Sequence, residues 1–169
     1  TDEDDVLGKS LLVMRDNLLS NQEKESELNW IAKGKDDISY ILRLHTNLND
    51  LSYDVLVKLI KYINIVQGAL YIYNEEEKVL TNLATYAYNR KKFVNQEFKL
   101  GKGLIGQCAY EKDFIYRTEI PDDYATMTSG ILGDQKPKSI LIIPLITNEK
   151  LQGVVEFASI DDEIPELTI

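Results

Sequence analysis

Two apolar runs of strand length, Ile140-Leu141-Ile142-Ile143-Pro144-Leu145-Ile146 and Leu151 to Ala158, are separated only by the polar turn Thr147-Asn148-Glu149-Lys150. Their length and β-branched content make them strands, and the short turn makes them neighbours in an antiparallel hairpin. An antiparallel pair of this kind commits the chain to a sheet, and the segments before it must supply the other strands and a cover.

Those segments can be read in order. Asp36 to Leu44 places Ile38, Ile41 and Leu42 on one side of a short amphipathic helix. Asn49 or Asp50 caps the next helix, in which Leu51, Val55, Leu59, Ile63 and Val66 recur at helical spacing, and this is the expected cover of the sheet. Gln67-Gly68 breaks it, Ala69 to Tyr73 has strand character, and Val79 to Tyr88 returns after the polar link Asn74 to Lys78. Gln96 to Leu100 alternates like an edge strand, Leu104 to Lys112 reads as a short helix, and Phe114 to Arg117 as another strand. Helices, two strands, an excursion and two more strands give an α+β fold with a central antiparallel sheet. The excursion from Asn89 to Lys138, with its polar tract from Asp122 onward, is too long for a simple connection and is where a binding loop is expected.

The first third of the chain has a different grammar. Leu7, Leu11, Met14 and Leu18 alternate by four and three, the spacing of a coiled-coil seam, and the register continues through Asn21, Glu25, Leu28 and Ala32. The polar flanks Arg15, Asp16, Gln22, Glu23 and Lys24 favour self-association of this stripe over packing on its own domain, with the polar pair Asn21 and Glu25 marking a weak point. At the other end, acidic residues and Pro165 follow Ser159 as helix-start signals, so a helix is expected to leave the domain there. Both ends look like joints to neighbouring segments.

The 169 residues carry a formal net charge of −9, which argues against nonspecific affinity for nucleic acid or anionic lipid. No run approaches the ~18 apolar residues of a membrane span, and no signal peptide opens the chain. The single cysteine, Cys108, rules out an internal disulfide and a Cys-rich metal site, and fits a reducing setting.

Cys108 sits beside Gly101-Lys102-Gly103-Leu104-Ile105-Gly106, which spells the G-x-G-x-x-G of a dinucleotide-binding turn. That turn needs a buried parallel strand before it and a crossover helix after it. Here the preceding strand alternates and starts from Arg90-Lys91-Lys92, and the following helix has barely two turns. The glycines are better explained by a turn at Gly101 and Gly103, and by close packing of the helix at Gly106. A nucleophilic thiol needs a nearby base or cation, and the only histidine, His45, lies far off in sequence, so Cys108 is expected to be a small buried hydrophobe.

Asn64 to Tyr71, Phe98 to Gly106, Ser139 to Pro144 and Leu151 to Glu156 together resemble the GAF domain, in the form found in bacterial sensor proteins such as histidine kinases of two-component systems. The resemblance covers roughly Ile38 to Ser159. It implies a PAS-like central antiparallel sheet with helices on one face and a ligand pocket on the other, preceded by a long coiled-coil-type helix. The expected organisation is an N-terminal signalling helix over 1–35, the GAF domain over 36–159 and the start of an exit helix over 160–169. It further implies a cytoplasmic homodimer joined through Leu7, Leu11, Met14, Leu18 and Leu28, with no membrane insertion of its own, although it can be the inner part of a membrane-bound sensor.

The family's cyclic-nucleotide, bilin, haem and sulfoxide-reducing signatures do not fall into place on this sequence, so the cofactor is left unassigned. By position, the pocket would be lined by Tyr86, Tyr88, Phe98, Leu104, Gln107, Tyr116, Thr118, Tyr124, Thr128, Ser129, Ile142 and Glu156. An apolar wall with a few hydroxyls suits a small, partly aromatic molecule. The resulting expectation is a non-enzymatic sensory module that binds a small molecule and signals through paired helices. The alternative is a dimerisation spacer whose pocket is filled by its own side chains.

Overall fold

The computed structural model describes residues 2–87, 90–92, 96–120, 127–129, 133–135, 137–160 and 164, with backbone alone for 2–5, 87, 90–92, 127–129 and 133–135. The chain divides into two compact units, Thr1–Ser39 and Tyr40–Ile169. The first is helical throughout. Helix α1 runs Asp2–Leu44 and so continues into the second unit. The short helix expected from Asp36 is therefore the last part of α1. A lone glycine such as Gly34 costs about 1 kcal/mol inside a helix but does not stop it without a proline or a left-handed residue.

In the second unit, helix α2 spans Leu48–Tyr62. Its N-cap is Asn47, whose side-chain oxygen accepts from the Asn49 N–H at 2.9 Å, two residues earlier than the sequence indicated. Asn64 ends it in the left-handed conformation at φ 56°, and the Ile65 N–H closes back on the Ile60 carbonyl at 2.9 Å. The fully buried row is Ser52, Leu56 and Ile60, one position on from the expected Leu51, Val55 and Leu59, which flank it half-buried. Both rows are mainly apolar, and the contact falls between them.

Seven strands form the main sheet: β1 (Gln67–Asn74), β2 (Val79–Ala87), β3 (Arg90–Lys92), β4 (Glu97–Lys99), β5 (Ile115–Arg117), β8 (Ser139–Thr147) and β9 (Lys150–Ser159). The order is β3-β2-β1-β9-β8-β5, every pair antiparallel, with β4 joining the opposite end of β2 from β3. The basic residues at 90–92, from which the sequence started the strand before the glycine turn, thus form a short edge strand of their own. A separate hairpin of β6 (Met127–Ser129) and β7 (Gly133–Gln135) lies within the excursion. The expected β8–β9 hairpin is present, and its loop residues Asn148 and Glu149 both have positive φ, 50° and 63°, the geometry of a tight two-residue turn.

Helix α3 (Gly103–Glu111) completes the unit. The glycines before it act as the sequence suggested: Gly101 and Gly103 have φ of 76° and 65°, and a Cβ on Gly106 would sit 2.2 Å from the Lys99 carbonyl oxygen. The strand before this turn, β4, is antiparallel, so the setting of a dinucleotide cradle is absent there.

The two helices of this unit take opposite faces of the sheet. Alternate residues of a strand point to opposite sides. Ala69 and Tyr71 join Leu80, Ile140, Ile142 and Val154 in one core with Ile105, Cys108 and Ala109 of α3. Gly68 lies against Ile60 of α2 and Phe157 on the other side. The exit helix expected over 160–169 falls outside the described residues except for Ile160 and Ile164. Ile164 is buried, and its N–H donates to the Tyr116 hydroxyl at 3.3 Å. Among the described residues, no helix is long and apolar enough to cross a membrane.

Candidate functional site

The α3 face of the sheet carries a line of polar side chains set into an apolar wall. Register places Thr85, Ala69, Glu156, Ile142 and Ile115 side by side across β2, β1, β9, β8 and β5. The next row along brings Asn82, Tyr71 and Val154 together. Gln67 is two residues before Ala69 and shares its face, diagonal to Glu156.

A bulge makes this grouping. Leu70 pairs with Ala84 but Tyr71 pairs with Asn82, so Leu83 is an extra residue that reverses the alternation of β2. Asn82 and Thr85, three apart, therefore meet on one face, and the Thr85 hydroxyl donates to Asn82 Oδ1 at 3.1 Å.

Glu156 is the chemically distinctive member. Among the described residues it has one hydrogen bond, a long one accepted from the Tyr71 hydroxyl at 3.4 Å, and no cation faces it. Burial pushes its carboxyl up to about 7, with the Tyr71 bond pulling slightly the other way. Burial, then the charge of Glu156, raises the Tyr71 hydroxyl, so Tyr71 stays a protonated donor. Phe98 meets Tyr71 edge to face at 5.4 Å between ring centroids. Gln67 Oε1 is sealed from solvent and has no hydrogen-bond partner among the described residues.

The residues expected to line a pocket divide sharply. Phe98, Leu104, Ile142 and Glu156 lie on the α3 face, though Ile142 is wholly within the core. Tyr86 lies on the opposite face, buried against α2 with its ring 6.1 Å from that of Tyr53, because the Leu83 bulge flips it away from Leu80. Tyr116 also lies on that opposite face, beside Leu141, with its hydroxyl engaged by Ile164. Gln107 is exposed and bonds Glu111 at 2.9 Å, and Thr118 is exposed. Tyr88 and Tyr124 fall outside the described residues, and Thr128 and Ser129 are described by backbone alone, in β6. Sequence reading did not find Gln67, Tyr71, Asn82 and Thr85. The available signal was Glu156, a lone carboxylate inside an apolar strand, whose neighbours follow once the register is known.

Cys108 is fully buried under α3, and burial, then Asp113 and Glu111, pushes its thiol up to about 12. A thiol so placed stays protonated and is not a nucleophile near neutral pH.

A second surface lies on α1. Leu7, Leu11, Met14, Leu18 and Leu28 are 56–67% exposed, and Val6, Leu12, Val13 and Leu19 add apolar surface beside the seam. His45, which follows α1, places Nε2 2.7 Å from Asp54 on α2, away from the polar line.

A family model described as GAF domain matches residues 45–166. Among solved structures, the chain resembles the GAF domain of a phosphoenolpyruvate-protein phosphotransferase from Coxiella burnetii, with a TM-score of 0.65 and 21% identity over 84% of each chain. It also resembles the GAF domain of A. Aeolicus nlh2 in an inactive state, at 0.57 and 20% identity over 80% of each chain. The free methionine-R-sulfoxide reductase from Neisseria meningitidis, solved with its substrate, matches at 0.55 and 14% identity over 72% of this chain and 68% of that one. No curated protein matches the chain.

Proposed function

The chain belongs to the GAF family, and from that premise we propose that it is the sensory and regulatory module of a bacterial signalling protein. It holds a small molecule against the polar line on the α3 face and passes the state of that site to paired flanking helices. One observation carries this reading: α1, which bears the exposed apolar seam, runs unbroken into the first residues of the unit that bears Glu156. Coupling of two sites needs an element that both can bias, and a helix with a seam interrupted at Asn21 and Glu25 provides one.

The homodimer forms through Leu7, Leu11, Met14, Leu18 and Leu28, in a cytoplasmic setting, with output carried by further domains of a two-component or related system. Catalysis is not assigned to this module. The Neisseria relative acts on a sulfoxide, whereas the one thiol here is buried and protonated. A second reading, a dimerisation spacer, draws support from the packing of Phe98, Leu104 and Ile142 into the α3-side core. Measuring dimer dissociation with and without a bound small molecule separates the two: a regulatory module changes its dissociation constant, and a spacer does not.

A further inference from the structure

We propose that the α3-face site recognises an organic amine, a small molecule with a protonated ammonium group beside an apolar or aromatic body, with Glu156 and Gln67 Oε1 as its acceptors. This rests on the small-molecule reading above and names the chemistry of that molecule. Two acceptors on one face are left over by the protein itself. Among the described residues, Glu156 has no cation beside it and only a long bond from Tyr71, and nothing donates to Gln67 Oε1, which is sealed from water. A buried acceptor without a donor is costly, and a half-buried carboxyl such as Glu156, which burial pushes toward its neutral form, gains from a cation beside it. An ammonium group supplies both needs, with several N–H donors and one positive charge. The aromatic neighbours fit the same cation: Tyr71 and Phe98 stand edge to face, giving a π surface beside the carboxylate. Arg117 of β5 pairs with Ile140 on this same face but is exposed and two strands from Glu156, and Lys92 of β3 pairs with Thr85, so the preference for a cation rests on Glu156 and Gln67.

The groups facing Glu156 also define how binding depends on pH. Tyr71 of β1 is the titratable side chain in contact with it, and Cys108 of α3 lies in the same core; both are neutral, held protonated by burial. The residues of β2 and β1 nearby, Thr85, Asn82 and Gln67, do not titrate. An ammonium ligand therefore selects the ionised form of Glu156 alone, and its affinity rises with pH up to the point where that carboxyl is fully ionised, by at most about tenfold per pH unit.

The test is a calorimetric titration of the whole chain with 2-phenylethylamine, 2-phenylethanol and phenylacetate, from about pH 5.5 to 7.5, with two-dimensional NMR to locate any binding. The proposal expects the amine to bind, to shift Tyr71, Phe98 and Glu156 resonances, and to bind more tightly as pH rises, with phenylacetate binding at least tenfold more weakly. Glu156→Gln is expected to lower amine affinity by about tenfold or more and to abolish its pH dependence, while the chain keeps its fold by circular dichroism. Gln67→Leu, a second variant independent of charge, is expected to weaken the amine severalfold. Phenylacetate or phenylethanol binding at these residues as well as the amine overturns the amine assignment and leaves the small-molecule reading standing. An amine affinity unchanged in Glu156→Gln overturns it too. Silence from all probes into the millimolar range overturns both.

Discussion

Glu156 keeps a proton in the folded chain that the unfolded chain gives up. Its folded pKa is raised to about 7 from an ordinary 4.5, so the stability this proton confers is complete below about pH 4.5 and is lost as pH rises through 7. The loss is on the order of 1–3 kcal/mol. Glu156→Gln removes that dependence: thermal denaturation should show the variant level with the parent near pH 4.5 and more stable by several degrees at pH 8. An identical pH profile in the two proteins counts against the burial of this carboxylate.

Two other residues carry strain or contact that a single substitution exposes. Glu149 holds a positive φ of 63° that a glycine adopts at no steric cost, so Glu149→Gly should stabilise the chain by about 0.5–1 kcal/mol in urea denaturation. Gly106 sits so close to the Lys99 carbonyl that an alanine there must push α3 off the sheet. Gly106→Ala should cost about 1–3 kcal/mol and make Cys108 react with a thiol reagent that leaves the parent unlabelled.

At the scale of elements, the readable parts were those whose signal is local. The β8–β9 hairpin, the turn at Gly101 and Gly103, helix α3 and the long N-terminal helix follow from apolar runs, glycines and heptad spacing within a few residues. What could not be read was the phase of one element against another. The buried row of α2 moved by one residue because two adjacent rows are both mainly apolar. Tyr86 left the expected site because the bulge at Leu83 turns β2 over, and a bulge is a property of the pairing rather than of either strand. Tyr116 went to the other face for a related reason, since the register of a three-residue strand has little to fix it. The same bulge that removed Tyr86 brought Thr85 in beside Asn82, so that meeting was invisible to alternation alone.

The α1 seam belongs to this scale as well. Five large apolar residues at heptad spacing are left facing solvent in a single chain, a pattern that a second helix covers. Replacing Leu11 and Leu18 together by Lys puts charge into the seam and should convert a dimer to a monomer in sedimentation equilibrium, raising the dissociation constant at least about tenfold per substitution. An unchanged mass removes the seam from the interface. The α2 and α3 packing lies in the other unit, so the fold and the thermal transition of residues 40–160 should persist in this variant.

For the whole molecule, two surfaces of unlike chemistry lie in one chain: on the α3 face a carboxyl with no cation beside it among the described residues, and along α1 an apolar stripe. Signalling requires that the ligand differ in its affinity for two states of the pair, since a ligand bound equally by both shifts nothing. The most direct test is native mass spectrometry of the purified chain, taken from gentle to denaturing conditions. The expected result is a dimer that carries added mass, released on denaturation as a small amine. A monomer, or a dimer whose mass equals two bare chains, contradicts it.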